Sequence, residues 1–587
     1  MIEIPMTSEN DAPQTQETSS KTQQQKDQKG KEEPIGRMAF FPKSLKTLVV
    51  LALVFLMHIW AVIASIHDFK KAQTFLALIG VCWVIAVIQL LSPHIGILAE
   101  KKSISTLRSY LKEVKEYRWT PIICGGVFIV CVAIFLAIDT NSDRSRLFGL
   151  VGMAFFVLFM AVISTDRSKI NWRTVAWGFS VHFCFGVLCL RWTFGSILFQ
   201  QFSETTVKFL ELANYGSEFV YGFLSKPPPI CQLNPVLVFS AFQVLVFFGS
   251  VVSLLYYYGI IQWVLKRMAY LMQLTLGTTA VESLNACACV FLGQSESALL
   301  VRPYLEKQTS SELHAIMASG FSCIAGSLFA AYVSFGACPK YLLSSSVMSA
   351  PASLAFAKIM VPETEESQSR KVSDLDLPPS EEDNPIESIS NGAIAGIHIV
   401  VAIAANLVAV LALLALVDSI LFYFGDLIGY RPWSLENLLQ YLMFPVAFVM
   451  GVTGDTQETL AVARLIATKT AVNEFVAYRN LGEMISDESL HISPRSAMMA
   501  TYALCSFSNL GSVGIVMGVL GGMVPTKRHI LARMVFRALI CGCVCCLYTA
   551  ALAGVLVGEP LHCRPSSAAA ACFDASKAVN SSLLEGL

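Results

Sequence analysis

Long apolar runs alternate with short polar connections along this chain, and their lengths predict its elements. Three runs come first, each with roughly the 20 residues that cross a bilayer as a helix, at 47–66, 72–92 and 120–138. Further spans are predicted near 147–164, 174–190, 235–262, 313–335, 341–360, 393–424, 499–520 and 533–557. The pattern predicts an all-α polytopic membrane protein with about 11–13 transmembrane segments.

Two stretches depart from this pattern, at about 271–305 and 440–480. There Gly, Ser, Thr and single carboxylates interrupt the apolar residues. Irregular backbone is tolerated at membrane depth only where it is buried in protein or lines a cavity. We therefore predict two re-entrant helical hairpins or broken helices, and not continuous spans.

Composition supports the membrane class and excludes others. Hydrophobic residues make up 55% of the chain and charged residues only 14%, whereas soluble domains average about 25% charged residues. The net charge is zero, so no basic field attracts nucleic acid. His314 and His529 are isolated, so we expect no catalytic site, metal or cofactor. The cysteines of the last span are interpreted as packing residues: Cys541, Cys543, Cys545 and Cys546.

Lys and Arg positions predict the orientation. Basic residues precede the first span and occupy 101–118 and 167–173, which are all cytoplasmic if the N-terminus is inside. The C-terminal tail is then extracellular at the plasma membrane. There Asn580 opens a glycosylation sequon, and Cys563 and Cys572 could pair in an oxidising compartment.

The sequence predicts six parts along the chain. They are a disordered cytoplasmic tail (1–45), three accessory helices (46–140), a first core part (147–360), an acidic loop (361–390), a second core part (391–557) and an extracellular tail (558–587).

Each irregular stretch contains a short segment, 293–297 in the first and 473–478 in the second, that places a single carboxylate in apolar surroundings. These carboxylates are Glu296 and Glu474. A carboxylate at membrane depth costs a few kcal/mol on insertion scales and usually marks a functional site. Irregular segments at corresponding places in two halves point to a transport site near the midplane. The alternative is a carboxylate paired for stability alone, with Lys469 as the candidate partner of Glu474.

A third polar segment covers 507–512. Asn509 and Ser512 are three residues apart and would share a helix face. With Glu474 they offer an acceptor, an amide and a hydroxyl, a set that suits the vicinal hydroxyls of a ribose. Interhelical hydrogen bonding, common for Asn and Ser in membranes, remains an open alternative.

The chain closely resembles the concentrative nucleoside transporter family, in its animal-type form with three additional N-terminal helices. The resemblance extends from about 147 to 557. The segments that carry it are GQSE (293–296), LLVRPYL (299–305), SELHAIM (311–317), SVMSAPAS (346–353), KTAVNEFVAY (469–478) and YALCSFSNLGSVG (502–514). It implies a homotrimer in the lipid bilayer, with a scaffold domain and a transport domain that moves like an elevator. It also implies cation-coupled symport of nucleosides, with no enzymatic activity.

Carried over by position, the resemblance implies a set of nucleoside-binding residues. They are Gln294, Ser295, Glu296, Leu328, Glu474, Phe507, Asn509 and Ser512. Those before residue 330 would face the nucleobase, and the others would hold the ribose, with Phe507 lining the site. Ser295 stands where Thr is usual, a change that keeps the hydroxyl.

The positions that match the family's sodium site are altered. Cys289 and Cys323 stand where side-chain oxygens are usual, with Leu292 and Ile324 at the carbonyl positions. Sodium is a hard cation that prefers oxygen, whereas thiols suit soft metals. Both side-chain ligands are therefore poor.

Two hypotheses for the coupling ion follow. In one, the chain depends less on sodium than its relatives and is proton-coupled through Glu296 or Glu474. In the other, sodium stays bound through carbonyls and Asn285, four residues before Cys289. A proton-only carrier, an uncoupled facilitative carrier and a sensor on the same fold are alternative functions.

The base preference is also read from the resemblance. Gly293 resembles broad or purine-accepting members, while Ser327 and Leu328 resemble pyrimidine-selective ones. The combination predicts that uridine-like substrates are accepted.

Overall fold

The structure is a computed structural model of the 587-residue chain. It describes residues 43–67, 120–141, 143–228, 236–368, 382–429, 434–486 and 492–565, with isolated positions between 76 and 83 and between 375 and 380. Almost all of the predicted span 72–92, the basic loop after it, part of the acidic loop, Cys572 and Asn580 lie outside the described residues. The regular elements of the described part are helices.

Residues up to Val132 and residues from Ala133 onward form two compact units. The first unit contains α1 (Lys43–His67) and most of α2 (Thr120–Asp139). These apolar helices have 25 and 20 residues, enough to cross a bilayer. They match the first and third predicted spans.

The second unit opens with six helices, of which the last two form a sharp bend. They are α3 (Phe148–Val162), α4 (Trp172–Gly186, continued by a π-helical turn, Val187–Arg191), α5 (Thr193–Leu210), α6 (Ala213–Tyr221), α7 (Gln243–Tyr257) and α8 (Ile260–Leu276). The sequence predicts one span over 235–262, but the structure ends α7 at Tyr257 and bends the chain by 81°. Gly259, with φ of +76°, permits the bend.

The next helices contain the first hairpin. They are α9 (Ala280–Ala288), α10 (Gln294–Val301), α11 (Ser310–Phe321), α12 (Phe329–Ser334) and α13 (Pro339–Met360). Thr279 and Glu282 form a capping box that starts α9. The hairpin is thus α9 and α10, shorter than the predicted 271–305 because α8 continues to Leu276.

The last helices again contain a hairpin that is followed by an interrupted helix. They are α14 (Pro385–Leu427), α15 (Leu435–Met450), α16 (Thr456–Ala471), α17 (Glu474–Ser486), α18 (Pro494–Leu504), α19 (Leu510–Met523) and α20 (Arg528–Leu556). The second hairpin is α16 and α17, so it begins and ends later than the predicted 440–480. The predicted span 499–520 is interrupted between α18 and α19, and 313–335 is interrupted between α11 and α12.

Helices α11, α13 and α20 form the centre of the second unit. The most apolar windows of 310–334 (α11, the interruption after it and α12), of α13 and of 525–556 (α20 with the turn before it) are 83%, 94% and 89% buried, whereas that of α14 is only 6% buried. Among the described residues, six helical stretches are long and apolar enough to cross a membrane, with α11 and α12 counted as one, and the bent α7–α8 pair makes a seventh if it is one span. At 43 residues, α14 is about 64 Å long, roughly twice the hydrocarbon thickness of a bilayer. Its small residues Gly392 and Gly396 allow a close crossing with α7 at Gly249.

The cysteines of α20 agree with the packing interpretation. Cys541, Cys545 and Cys546 are fully buried, and the thiols of Cys545 and Cys546 bond to backbone carbonyls. Within the described ranges, no group of three or more His, Cys, Asp or Glu side chains is arranged to hold a metal ion.

A disulfide fixes the segment that follows α20. The sequence left open whether Cys563 pairs with Cys572, and the structure pairs Cys563 with Cys338, at the start of α13. The backbone N–H of Leu561 also donates to the Tyr341 hydroxyl at 2.7 Å. The chain after the last span therefore folds back onto α13, which brings together cysteines separated by 225 positions.

Candidate functional site

Four helix interruptions meet inside the second unit. Tip 1 (residues 289–293) joins α9 to α10, and tip 2 (472–473) joins α16 to α17. Break 1 (322–328) separates α11 from α12, and break 2 (505–509) separates α18 from α19. Each interruption frees backbone groups that a continuous helix would pair, so partners must come from the tertiary structure.

Hydrogen bonds connect these interruptions in series. The N–H of Gly326 in break 1 donates to the carbonyl of Phe291 in tip 1 at 3.0 Å. The N–H of Phe507 in break 2 donates to the carbonyl of Cys323 in break 1 at 3.2 Å. The Asn509 amide of break 2 then donates to Glu474, next to tip 2, at 2.8 Å. Segments that begin at Phe291 and end at Asn509 in the sequence thus form one polar centre.

Glu474 is the best-connected carboxylate of this centre. It is 3% exposed, and its two oxygens have different partners. Oε2 accepts from Asn509 Nδ2 at 2.8 Å, and Oε1 accepts from the Tyr332 hydroxyl at 3.2 Å. A buried carboxylate needs such donors, because an unpaired one is costly at membrane depth.

The Asn509 side chain forms two hydrogen bonds, one through its oxygen and one through its nitrogen. Its Oδ1 accepts from the N–H of Ser512 at 2.8 Å, so Asn509 is the N-cap of α19 and lies just outside the helix. Its Nδ2 remains free to reach Glu474. Asn509 and Ser512 therefore come together through a cap, and not through the helix face that the spacing predicts.

The predicted base-facing residues start α10. Gln294, Ser295 and Glu296 are half-buried, and Glu296 accepts a hydrogen bond from the N–H of Gly293, which caps the helix. Gln294 Oε1 has no donor among the described residues. A Cβ on Gly320 of α11 would lie 3.1 Å from the Gln294 Cβ, so glycine allows α10 to approach α11 closely.

Leu328 and Phe507 lie in break 1 and break 2 and are 3% and 8% exposed. The structure thus distributes the eight predicted residues over α10, the start of α17, α19 and the two breaks. All eight lie at or next to one of the four interruptions.

The altered cation positions lie in tip 1 and break 1. The Cys289 thiol donates to Ser297 Oγ at 3.1 Å, and the Cys323 thiol donates to the carbonyl of Ser319 at 3.2 Å. No backbone N–H of the described residues bonds to the carbonyl of Leu292 or Ile324. Two backbone oxygens of tip 1 and break 1 therefore have no backbone donor among the described residues.

Lys469, the candidate partner of Glu474 in the alternative of a purely structural pair, is hydrogen-bonded to another residue. The Lys469 side chain is 2% exposed, and its ammonium donates to Ser508 in break 2. Ser508 in turn bonds to Ser506 at 2.7 Å. Lys469 therefore ties α16 to break 2.

Sequence reasoning missed Tyr332. This tyrosine is fully buried in α12 and packs against Phe475 and Tyr478 of α17, with ring centroids 5.1 and 4.7 Å apart. It follows Leu328 by four residues, and that helical spacing was the available signal.

A large cavity opens beside tip 2. Its volume is about 1020 Å³. Phe475 and Val476, which follow Glu474 directly, line it together with Arg479 of α17 and Arg564 of the disulfide-linked segment. None of the eight predicted nucleoside-binding residues lines this cavity.

Comparisons with known proteins agree with this arrangement. Three family models match, described as the N-terminus of the Na+ dependent nucleoside transporters (151–224), nucleoside recognition (238–338) and the C-terminus of the same transporters (341–554). Sodium/nucleoside cotransporter 2 of Rattus norvegicus is 37% identical over 78% of this chain and 69% of its own length. Solute carrier family 28 member 3 of Homo sapiens is 39% identical over 76% of this chain and 64% of its own.

Solved structures of nucleoside transporters have a similar fold. CNTnw in an inward-facing substrate-bound state has a TM-score of 0.66 and 34% identity, over 70% of this chain and 98% of its own. A variant of CNTnw in an outward-facing state matches equally well. The family consists of transporters and not enzymes, and the predicted all-α fold with its hairpins is confirmed. The chain belongs to the sodium-dependent, or concentrative, nucleoside transporter family.

Proposed function

We propose that this protein imports nucleosides across the plasma membrane, driven by a cation gradient. The observation that carries the proposal is the buried Glu474–Asn509 pair at the meeting point of four helix interruptions. A carboxylate and an amide at membrane depth form a polar site for an uncharged, hydroxyl-rich solute. Relatives described as sodium/nucleoside cotransporters support the substrate class.

Within this site, Glu474, Asn509 and Ser512 hold the ribose, and Phe507 lines it. The second acceptor site of each Glu474 oxygen is available to a ribose hydroxyl, because a carboxylate accepts about four hydrogen bonds. The base lies against Gln294, Ser295, Glu296 and Leu328. The unpaired Oε1 of Gln294 supports this role, since a buried acceptor favours a ligand donor. Uridine-like nucleosides are the proposed substrates.

The four interruptions move as one body. The hydrogen bonds between tip 1, break 1, break 2 and Glu474 support this, since separating any pair would leave buried polar groups unpaired. Such a body can travel across the membrane as an elevator. A homotrimer supplies the fixed scaffold in this proposal, and the poorly buried α14 offers a surface for it.

The N-terminus is cytoplasmic and the C-terminal tail extracellular in this proposal. The Cys338–Cys563 disulfide supports the orientation, because disulfides persist in oxidising compartments. Glycosylation at Asn580, outside the described residues, would follow from the same orientation.

Sodium is the proposed coupling ion. The family description supports it, and so do the carbonyls of Leu292 and Ile324, which accept from no backbone N–H of the described residues, since hard cations prefer oxygen ligands. Proton coupling through Glu296 or Glu474 is the second candidate, favoured by the thiols of Cys289 and Cys323. An uncoupled carrier is a third possibility that the same experiment addresses.

The test is uptake of labelled uridine and adenosine by cells expressing the protein, in sodium or choline buffer at acidic and neutral pH. If the labelled nucleoside accumulates in sodium buffer above its external concentration, symport is supported. If it only reaches the external concentration, the carrier is uncoupled. Uptake that survives in choline and rises with acid means proton coupling. The Glu474→Gln variant, compared at equal surface expression, should abolish uptake. If uptake by the wild type does not saturate with nucleoside concentration, the proposed nucleoside site is contradicted.

A further inference from the structure

An apolar groove runs along α3. Its volume is about 390 Å³, and it is lined by five residues of α3, from Met153 to Ala161, together with Trp172 of α4 and Tyr548 of α20. The stretch from Met153 to Ala161 measures about 12 Å along the helix axis. One leaflet of a bilayer has a hydrocarbon depth of about 15 Å, so the groove has the length and the lining that suit an acyl chain.

The groove faces the bilayer. The apolar window that contains α3 is 28% buried, and the lining residue Leu158 is 66% exposed. Trp172, at the start of α4, is 54% exposed, and tryptophan is enriched where a membrane meets water. The end of the groove at Trp172 is therefore the end nearest the lipid head groups.

Basic side chains lie at that end. Arg167 and Lys169 belong to the turn between α3 and α4, and Arg173 follows Trp172 directly. All three are exposed. The single carboxylate of 163–173 is Asp166, which accepts from the N–H and the hydroxyl of the serine two residues later and so caps the turn.

Helix α20 adds two arginines on the same side. The Arg537 guanidinium donates to the carbonyl of Ile163, directly after α3, at 3.3 Å. Arg533 is exposed and lies one turn earlier on the same face of α20, a helix without Asp or Glu. The end of the groove thus has a basic rim, which consists of Arg167, Lys169, Arg173, Arg533 and Arg537.

We propose that the groove and the basic rim form a binding site for a phospholipid with a multiply anionic head group. The phosphates of the head group bind the basic rim, because Arg and Lys form strong charge-assisted hydrogen bonds with phosphate. One acyl chain lies in the groove along α3. In the orientation proposed above, this lipid belongs to the cytoplasmic leaflet, which carries the anionic lipids and where basic pockets between helices bind such head groups.

A basic loop beside a transmembrane helix also attracts anionic lipid diffusely, without a site. Here the groove is continuous with the basic residues, because Trp172 lines it and Arg173 is the next residue. The groove also extends away from the rim, since Tyr548 lines it and lies about 16 Å along α20 from Arg537. Diffuse attraction depends on charge alone, whereas a site depends on charge and on the shape of the groove.

The test measures lipid binding to the purified full-length protein by native mass spectrometry, without nucleoside, so its result does not depend on the proposed transport. The probes are dioleoyl phosphatidylinositol bisphosphate, dioleoyl phosphatidylcholine and inositol trisphosphate, a soluble head group without acyl chains. Lys169→Gln combined with Arg173→Gln removes two charges from the basic rim. Arg144→Gln combined with Lys208→Gln is the matched control, because it removes an exposed arginine before α3 and an exposed lysine of α5.

A second pair of variants changes the shape of the groove and leaves the charge unchanged. Ala154→Phe places a ring in the groove, since Ala154 lines it. Ala176→Phe is the control, because Ala176 is an exposed alanine of α4 that does not line the groove. If Ala154→Phe does not fold, Ala161→Phe repeats the test near the other end of the groove.

We expect the wild type to bind the inositol lipid about tenfold more tightly than phosphatidylcholine, and the Lys169/Arg173 variant to lose about tenfold in affinity for it. Ala154→Phe should weaken binding roughly threefold or more, and both controls should bind as the wild type does. If the rim variant alone weakens binding, the attraction is diffuse and the proposal is wrong. Equal binding of the two lipids, or of inositol trisphosphate and the inositol lipid, also overturns it.

Discussion

Asn509 Nδ2 donates to Glu474 Oε2 over 2.8 Å, although 35 residues separate the two side chains. The same Asn509 side chain caps α19 through Ser512. One amide therefore couples the geometry of break 2 to the carboxylate beside tip 2.

Replacing Asn509 by Ser should weaken all nucleosides alike, because the ribose is common to them. Serine can still cap α19, but its short side chain loses the amide donor to Glu474. Hydrogen bonds to charged groups contribute about 1.5–3 kcal/mol, so uridine and adenosine should both bind roughly tenfold to a hundredfold more weakly. The measurement is KM for both nucleosides at equal surface expression. A loss confined to one base would contradict the ribose role.

Tyr332→Phe should also reduce uptake, through the other oxygen of Glu474. The substitution keeps the ring packing against Phe475 and Tyr478 and removes only the hydroxyl that donates to Oε1. We expect KM for uridine to rise about tenfold. The control is Tyr548→Phe, which removes a buried tyrosine hydroxyl from α20. Equal effects of the two variants would mean a general packing defect.

Gln294→Ala should change the ranking of bases more than the total transport. Gln294 Oε1 is unpaired at the start of α10, where it would meet polar groups that differ between bases. The measurement is competition of uridine uptake by adenosine, inosine and cytidine. Leu299→Ala, on the exposed side of the same helix, should leave the ranking unchanged. A uniform loss for all nucleosides in Gln294→Ala would count against a base-facing position.

Non-reducing peptide mapping should recover Cys338 linked to Cys563, and not Cys563 linked to Cys572. Cys563→Ser should then lower the melting temperature, because loss of a native disulfide costs on the order of 2–4 kcal/mol. Cys131→Ser, which removes an exposed free cysteine, is the control. Equal melting temperatures for Cys563→Ser and the wild type would contradict a stabilising link.

The sequence predicted most helices because run length and apolar composition are local properties, and a bilayer of fixed thickness selects for both. It also located the interruptions roughly, since carboxylates, Gly and Ser at membrane depth require irregular backbone lined by protein. The end of α7, which the sequence placed too late, has a local cause as well. The positive φ of Gly259 ends α7 within a run that remains apolar.

Only the tertiary structure decided the partners of the polar groups. Nothing in the sequence distinguishes Ser508 from Glu474 as the partner of Lys469, or Cys338 from Cys572 as the partner of Cys563. Tyr332 reaches Glu474 across 142 residues because α12 packs on α17. A residue's chemistry determines that a buried polar group must be paired, but its partner depends on which distant helices pack together.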